Sequence, residues 1–214
     1  MTLEDKIKKE LVKTVGVKRY NGWDNRTTYG YHSYKIGEVN IPGQRQPKIR
    51  LDGFKKYIEF ADKVVIDFGC NVGAMLHHLP EIKLGVGFDY DENCINSANN
   101  IAKLINKDNL SYHTHDFDKD GYDNLLNKIT EKPNIILLLS LGSWVSTWRE
   151  LYSLALEYDA QIILEINNED EGKSQLDFFT NKGYEPKMIV NNSSDDLTGN
   201  NRRRTYLIEK WNYS

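Results

Sequence analysis

Cysteine is scarce in this chain of 214 residues, and long hydrophobic runs are missing. Cys70 and Cys94 are too few for a disulfide framework, which predicts a reducing compartment such as the cytoplasm. No apolar run approaches the roughly 20 residues of a membrane span, and residues 1–6 lack the apolar core of a signal peptide. Cys/His clusters at zinc spacing are also missing, so we predict no metal site. The remaining class is a globular protein with one sizeable core.

A strong overall charge is lacking too, because the net charge is only −3. The charge is unevenly placed. Residues 1–60 hold thirteen Lys and Arg against seven Asp and Glu, whereas residues 61–214 hold fifteen against twenty-four. The basic segment is either a solvated face or a docking surface for an anionic substrate.

The stretch from Val64 to Gly73, VVIDFGCNVG, predicts a strand, a tight turn and the start of a helix. Its first residues are β-branched and apolar, as in the buried strands of parallel sheets. Unpaired backbone N–H groups at such a turn can contact a ligand. The next strand, residues 84–88, ends in Asp89, at a distance that suits an acid bound to the hydroxyls of a ribose.

One residue of this turn separates two classes of ligand. A dinucleotide fingerprint needs G-x-G-x-x-G, whose second glycine lets a pyrophosphate approach the backbone. Asn71 occupies that position here, and the third glycine is absent. A side chain at Asn71 would crowd a pyrophosphate, but it need not crowd an adenosyl ligand without phosphate. The alternative is an ordinary strand–loop–helix turn.

With these residues the stretch resembles motif I of the class I S-adenosylmethionine-dependent methyltransferases, whose loop reads G-x-G-x-G with Asn sometimes in the middle. The resemblance covers about residues 61–210. It implies methyl-transfer activity with S-adenosyl-L-methionine as cofactor. The implied cofactor contacts are Asp67, Gly69, Cys70, Asn71 and Gly73 at the methionine part, Asp89 and Tyr90 at ribose and adenine, Asp116 and Phe117 at the adenine edge, and Ser140 after the fourth strand.

Two of these assignments have alternatives, and one further assignment rests on a short motif. Asp89 could cap the following helix instead, although Asp91 caps equally well. Asp116 could be a simple turn residue. A Pro-Gly-Gln-Arg stretch ending at Arg45 is similar to one found before the core domain in some methyltransferases of sugars and small metabolites. That similarity implies that Arg45 holds the carboxylate of the cofactor.

The whole chain predicts an α/β fold: a doubly wound, mostly parallel seven-stranded sheet with an antiparallel last strand, behind an N-terminal helical and loop extension. The extension is residues 1–60 and the cofactor-binding domain residues 61–214. Residues 15–50 are rich in Tyr, Gly and basic residues, and they are interpreted as a lid or substrate-recognition segment, with a packed extension as the alternative. Helices are predicted near 2–14, 51–60, 91–107, from Trp144 to Leu154, and 171–181. Strands are predicted near 64–68, 84–88, 110–115, 134–139, 160–165, 186–190 and 204–208.

Methyl transfer to a hydroxyl requires alignment of donor and acceptor and removal of a proton. Glu165, His115 and His32 are the candidate bases, although Glu165 could cap the next segment and His115 could be structural. Tyr31 and His32 are candidate substrate contacts. Trp144 either walls the substrate site or belongs to the core with Trp148.

Residues 140–144, SLGSW, differ from the Asn-Pro-Pro-Tyr type of the amino-methyltransferases, which favours an oxygen acceptor. Three functions remain open. The first is O-methylation of a small polar anionic acceptor such as a sugar or sugar phosphate. The second is methylation of nucleic acid, whose phosphates would be bound by residues 1–60 and Arg202–Arg204. The third is a non-catalytic partner subunit that binds the cofactor. No membrane partner is predicted, and the oligomeric state stays open.

Overall fold

A computed structural model of the chain describes residues 1–15, 30–197, 199 and 202–211. Part of the predicted lid, residues 16–29, therefore lies outside the described residues. The helices are α1 Leu3–Val15, α2 Pro47–Phe54, α3 Ala74–His77, α4 Glu92–Leu104, α5 Tyr122–Leu126, α6 Trp148–Glu157 and α7 Glu169–Asn181. The strands are β1 Tyr34–Ile36, β2 Val39–Ile41, β3 Val64–Phe68, β4 Leu84–Asp89, β5 Leu110–Thr114, β6 Ile135–Leu139, β7 Gln161–Glu165, β8 Tyr184–Val190 and β9 Thr205–Lys210.

The main sheet has seven strands in the order β5-β4-β3-β6-β7-β9-β8. Strands β3 to β7 run parallel, because helices carry the chain back between them. Strand β9 is antiparallel to both β7 and β8, since no helix separates the last two strands. The predicted fold class is confirmed. The order of connection reverses between β3 and β6, and open sheets of this kind bind ligands outside the carboxyl ends of the strands at that point.

Both faces of the sheet are covered, which explains why its central strands read as unbroken apolar runs. One face packs Val65 and Leu137 against α2 and α4. The opposite face packs Phe68 and Leu138 against α6 and α7. Each fully buried Leu, Ile or Phe contributes about 1.5–3 kcal/mol relative to an exposed one. This core fixes the strand ends on which the candidate site is built.

The N-terminal segment is packed against the sheet domain where the structure describes it. Ser97 Oγ of α4 donates a 3.0 Å hydrogen bond to the Glu10 carbonyl of α1. The small hairpin β1–β2 buries Tyr34 and Ile41 in the same cluster as Val72 of the glycine loop. Residues 30–50 are thus packed against the sheet domain in this structure, and their role as a lid or substrate-recognition segment stays a prediction. The domain boundary at residue 60 stays a prediction.

Two helix predictions were wrong. Helix α2 begins at Pro47 and ends at Phe54 instead of covering 51–60. Proline suits the first turn of a helix, because the backbone N–H that it lacks would have no partner within the helix there. Helix α6 begins at Trp148, so it does not include Trp144. Asp118 accepts bonds from Ser146 Oγ and the Thr147 N–H, and these side-chain bonds compete with an earlier helical start.

Among the helices that the structure describes, none is both long and apolar enough to cross a membrane.

Candidate active site

The glycine loop between β3 and α3 is held in place by the neighbouring strand. The N–H groups of Gly69 and Cys70 both donate to the Phe88 carbonyl, at 2.8 and 2.9 Å. Gly69, Asn71 and Gly73 all have left-handed backbone, with φ of 76°, 51° and 71°. Glycine adopts this region freely, and Asn tolerates it better than most residues. The loop sequence is thus one that this sharp turn requires.

Two tyrosines that the sequence did not single out support the loop from behind. Tyr34 of β1 donates to the Val72 carbonyl at 2.9 Å, and Tyr112 of β5 donates to the Gly73 carbonyl at 3.2 Å. Both side chains are buried. Their hydroxyls fix two successive loop carbonyls, so they position the loop without facing a ligand themselves.

Gly73→Ala tests how tightly this loop is packed. A Cβ at Gly73 would lie 2.5 Å from the Tyr112 ring, and the φ of 71° is unfavourable for alanine. We expect a loss of roughly 2–4 kcal/mol in the free energy of unfolding, from strain and from displaced packing. Gly121→Ala is the matched control, because nothing lies within 4 Å of its Cβ. Equal urea midpoints for the two variants would mean that the loop adapts.

Asp67, in β3, has an unsatisfied carboxylate. The side chain is 2% exposed, and Oδ2 has no hydrogen-bond partner among the residues described. The pKa of Asp67 is raised to about 7, because burial and, to a lesser extent, nearby Asp89 raise it more than Arg50 lowers it. A buried acid without a partner can be compensated by a cationic group. The α-amino group of the predicted cofactor has that chemistry, so Asp67 fits its assigned role.

Asp89 lies at the end of β4, one strand away, and its carboxylate contacts the glycine loop. Its Oδ2 accepts the Asn71 N–H at 2.9 Å, and Oδ1 accepts the Asp91 N–H at 3.0 Å. Asp91, not Asp89, caps α4 through the N–H groups of Asn93 and Cys94. The capping alternative for Asp89 is therefore wrong. Tyr90, next to it, is 46% exposed at the edge of the loop.

The third predicted cofactor segment follows β5. Asp116 accepts the Asp118 N–H at 3.1 Å and pairs with Lys119 at 2.6 Å, so its carboxylate already belongs to a turn. Phe117 is buried and meets Phe68 edge to face. Phe117 thus packs into the core beside β3, and its contact with the cofactor stays a prediction, as does the bond from Asp116 to adenine.

Glu165, at the end of β7, is the centre of a buried charge network. Its Oε2 accepts from Arg50 at 2.7 Å and from Arg45 at 3.4 Å, and Arg203 lies 3.6 Å from Oε1. Ser140 donates its hydroxyl to the same carboxylate. Burial by itself raises the pKa of Glu165, but the guanidinium groups, Arg50 first, outweigh it and lower the pKa to about 2. Such a carboxylate is a weak base, which speaks against the predicted catalytic role.

Arg45 belongs to this network and is fully buried. Its Nε donates to Asp195 at 2.7 Å, and its other nitrogens lie 3.4 Å from Glu165 and 3.6 Å from Asp196. A guanidinium enclosed by three carboxylates cannot also reach a cofactor carboxylate unless the network opens. The resemblance of the Pro-Gly-Gln-Arg stretch therefore gains no support from the geometry.

Four members of the network were missed or only partly anticipated from the sequence: Arg50, Asp195, Asp196 and Arg203. They come from α2 and from the segment between β8 and β9, so no local spacing connects them. The Arg202–Arg204 triplet was the one visible signal. Arg203 turns inward to Tyr31 and Ser140, while Arg204 pairs with Glu169 at 2.8 Å.

The two histidines that are candidate bases, His115 and His32, lie in different surroundings. His115 is buried beside the rings of Phe117 and Tyr122, and burial lowers its pKa. His32 is buried, and within the described ranges neither of its ring nitrogens has a hydrogen-bond partner. Burial, Arg50 and Arg45 hold its pKa well below the usual value. Both imidazoles are neutral at pH 7, and the choice of base stays a prediction.

Trp144 is 72% exposed, so its assignment to the core was wrong. The hydrogen bond from its N–H to the Leu141 carbonyl holds it in a turn after β6. Cys70 and Cys94 are both buried, and burial raises the pKa of the Cys70 thiol. Cys70 is therefore not an activated nucleophile. No group of His, Cys, Asp and Glu side chains in residues 1–15, 30–197, 199 and 202–211 is arranged to hold a metal.

No family model matches the chain, and neither does any curated protein. Solved structures do match it. Precorrin-6y C5,15-methyltransferase from Geobacter metallireducens GS-15 is 14% identical over 83% of this chain and 93% of its own, with a TM-score of 0.56. TrmK of M. capricolum, in complex with S-adenosyl-homocysteine, is 16% identical over 77% and 69%, with a TM-score of 0.56. EvdMO1 is 14% identical over 82% of this chain but only 43% of its own length, with a TM-score of 0.58.

These likenesses, together with the strand order, define the fold. The chain has the fold of the class I S-adenosylmethionine-dependent methyltransferases. At such low sequence identity, the likenesses to these solved structures show a shared fold alone.

Proposed function

We propose that the protein is an S-adenosylmethionine-dependent methyltransferase. The observation that carries this is a pair of buried carboxylates, Asp67 and Asp89, on either side of the glycine loop. This loop follows β3, where the order of strand connection reverses. One carboxylate oxygen of Asp67 has no hydrogen-bond partner among the described residues, and Asp89 fixes the loop through the N–H of Asn71. A dinucleotide would need a glycine where Asn71 stands.

The cofactor would supply a methyl group on a positively charged sulfur. Asp67 would bind the ammonium end of its methionine part, and Asp89 would accept the ribose hydroxyls. The loop N–H groups and the Phe117 wall would fix its orientation. This chain would contribute to the reaction by aligning the methyl donor with the acceptor, because in-line displacement depends on near-attack geometry.

For the acceptor we propose a hydroxyl on a small, polar, anionic molecule such as a sugar phosphate. Four lysines of the first 60 residues, Lys8, Lys13, Lys48 and Lys55, pair with carboxylates, which weakens that segment as a phosphate track. Arg203 points inward and Arg204 is paired, so little of the triplet remains for a polyanion. The exposed ring of Trp144 lies in the turn after β6, where it can wall an acceptor. The buried free thiol of Cys70 supports a reducing cytoplasm as the place where the protein acts.

The test is transfer of label from methyl-tritiated S-adenosylmethionine to fractions of a host-cell extract, separated by size and charge. We expect label in a small anionic fraction, in a bond with the stability of an ether. Label in RNA or DNA, with binding that weakens steeply as salt is added, would favour the nucleic-acid function instead. Cofactor binding without label in any fraction would favour the non-catalytic partner.

A further inference from the structure

We propose that Arg203 forms an anion subsite for the phosphate or carboxylate of the acceptor. This inference rests on the proposed function, because it places the acceptor beside the cofactor. It concerns a residue that neither the fold nor the glycine loop assigns. Ser140, Tyr31 and Glu165 hold the Arg203 side chain in place.

The three arginines of the network are compensated unequally. Arg45 and Arg50 each donate to a carboxylate oxygen at 2.7 Å. Arg203 instead gives its two hydrogen bonds to hydroxyls, Tyr31 Oη at 3.0 Å and Ser140 Oγ at 3.1 Å. Its nearest carboxylate oxygen, on Glu165, is 3.6 Å away, which is longer than a hydrogen bond.

The carboxylate that Arg203 approaches is already engaged. Glu165 accepts from Arg50 and Arg45 through Oε2, and its Oε1 receives the Ser140 hydroxyl. In the part of the chain that the structure describes, Arg203 Nε has no hydrogen-bond partner. The same holds for Arg45 Nη1 and Arg50 Nε, but these two lie 3.6 and 3.5 Å from the carboxylates of Asp196 and Asp195. A guanidinium that is mostly desolvated and only partly paired gains most from a planar bidentate anion.

The position of Arg203 suits an acceptor. Its side chain is 16% exposed, against 0% for Arg45 and 6% for Arg50, so it is the network arginine nearest solvent. It lies over Ser140, at the end of β6. Asn167, at the same edge, donates to the Ser140 carbonyl at 3.3 Å. Its Oδ1 has no partner in the residues that the structure describes, so it can accept a hydrogen bond from a hydroxyl of the methyl acceptor.

The experiment titrates inorganic phosphate into the full chain saturated with S-adenosylhomocysteine, at constant ionic strength, and reads binding by calorimetry. We expect phosphate affinity to fall at least tenfold in Arg203→Gln and about threefold to tenfold in Arg203→Lys, which keeps the charge but loses the planar fork. Arg202→Gln is the matched control, because Arg202 is an exposed neighbour of equal charge. Its phosphate affinity should equal that of the wild type.

The affinity for S-adenosylhomocysteine separates this proposal from the proposed function. We expect Arg203→Gln to keep it within about twofold, whereas loss of that binding would mean that Arg203 holds the cofactor carboxylate and would overturn the subsite. Equal phosphate affinity in the wild type and both Arg203 variants would also overturn it. If Arg203→Gln does not fold, the Lys variant decides. A wild type that fails to bind S-adenosylhomocysteine would instead refute the proposed function.

Discussion

Glu165→Gln should be the most destabilising single change at this site. The substitution removes the carboxylate that Arg45, Arg50 and Arg203 share, so three buried guanidinium groups keep only the carboxylates of Asp195 and Asp196 as partners. Breaking a buried ion pair from one side typically costs 3–5 kcal/mol, and we expect a loss of about that size in the free energy of unfolding. Urea denaturation measures it. Glu157→Gln, at an exposed position on α6, is the control and should change stability by less than about 0.5 kcal/mol.

The pH dependence of stability gives a second view of the same carboxylate. The pKa of Glu165 is lowered to about 2 in the folded chain, so its contribution is present above its unfolded value near 4.5. That contribution is lost as pH falls from about 5 towards 2. Glu165→Gln should therefore flatten the acid limb of the stability curve. If the free energy of unfolding falls equally with acid in the wild type and in the variant, Glu165 is not ion-paired in the folded chain.

Asp67→Asn should separate stability from function. The folded pKa of Asp67 is raised to about 7 from 3.8, so holding it ionised costs stability that grows as pH rises through that interval. At pH 8 the amide should stabilise the chain without ligand by up to about 4 kcal/mol. At the same time it should weaken cofactor binding roughly 10–100-fold, because a charge-assisted bond to the ammonium group is lost.

Thermal melting at pH 5 and pH 8, with calorimetric titration of S-adenosylhomocysteine, measures both effects of Asp67→Asn. Asp177→Asn, on the exposed side of α7, is the control and should move neither. A variant that is no more stable at pH 8 than the wild type would mean that Asp67 has a partner in solution. Unchanged affinity would remove Asp67 from the cofactor site.

Much of the fold could be predicted because its signals are local. Unbroken apolar runs identified β3 and β6, and the missing helix between β8 and β9 predicted their antiparallel pairing. The glycine loop and Asp89 were predictable for the same reason, since a fixed spacing brings two neighbouring strand ends together. Boundaries were less certain where a side chain decides them, as Pro47 does for α2.

The charge network could not be predicted in this way. The contact between Arg50 and Glu165 spans 115 residues of sequence, and that between Arg45 and Asp195 spans 150. Periodicity describes one element at a time, so it carries no information on which distant charges meet. For that reason Glu165 resembled a free base at a strand end, whereas its surroundings make it a very weak one. Arg45 resembled a cofactor ligand for the same reason.

Calorimetric titration of the wild type with S-adenosylhomocysteine and with NAD tests the central claim most directly, with Asp89→Ala beside it. We expect S-adenosylhomocysteine to bind, and Asp89→Ala to lose about 1–3 kcal/mol of that binding, because ribose hydroxyls lose their acceptor and the Asn71 N–H loses its anchor. NAD should not bind, since Asn71 stands where a pyrophosphate needs glycine. Tight NAD binding, or S-adenosylhomocysteine binding that is unaffected in Asp89→Ala, would contradict the account.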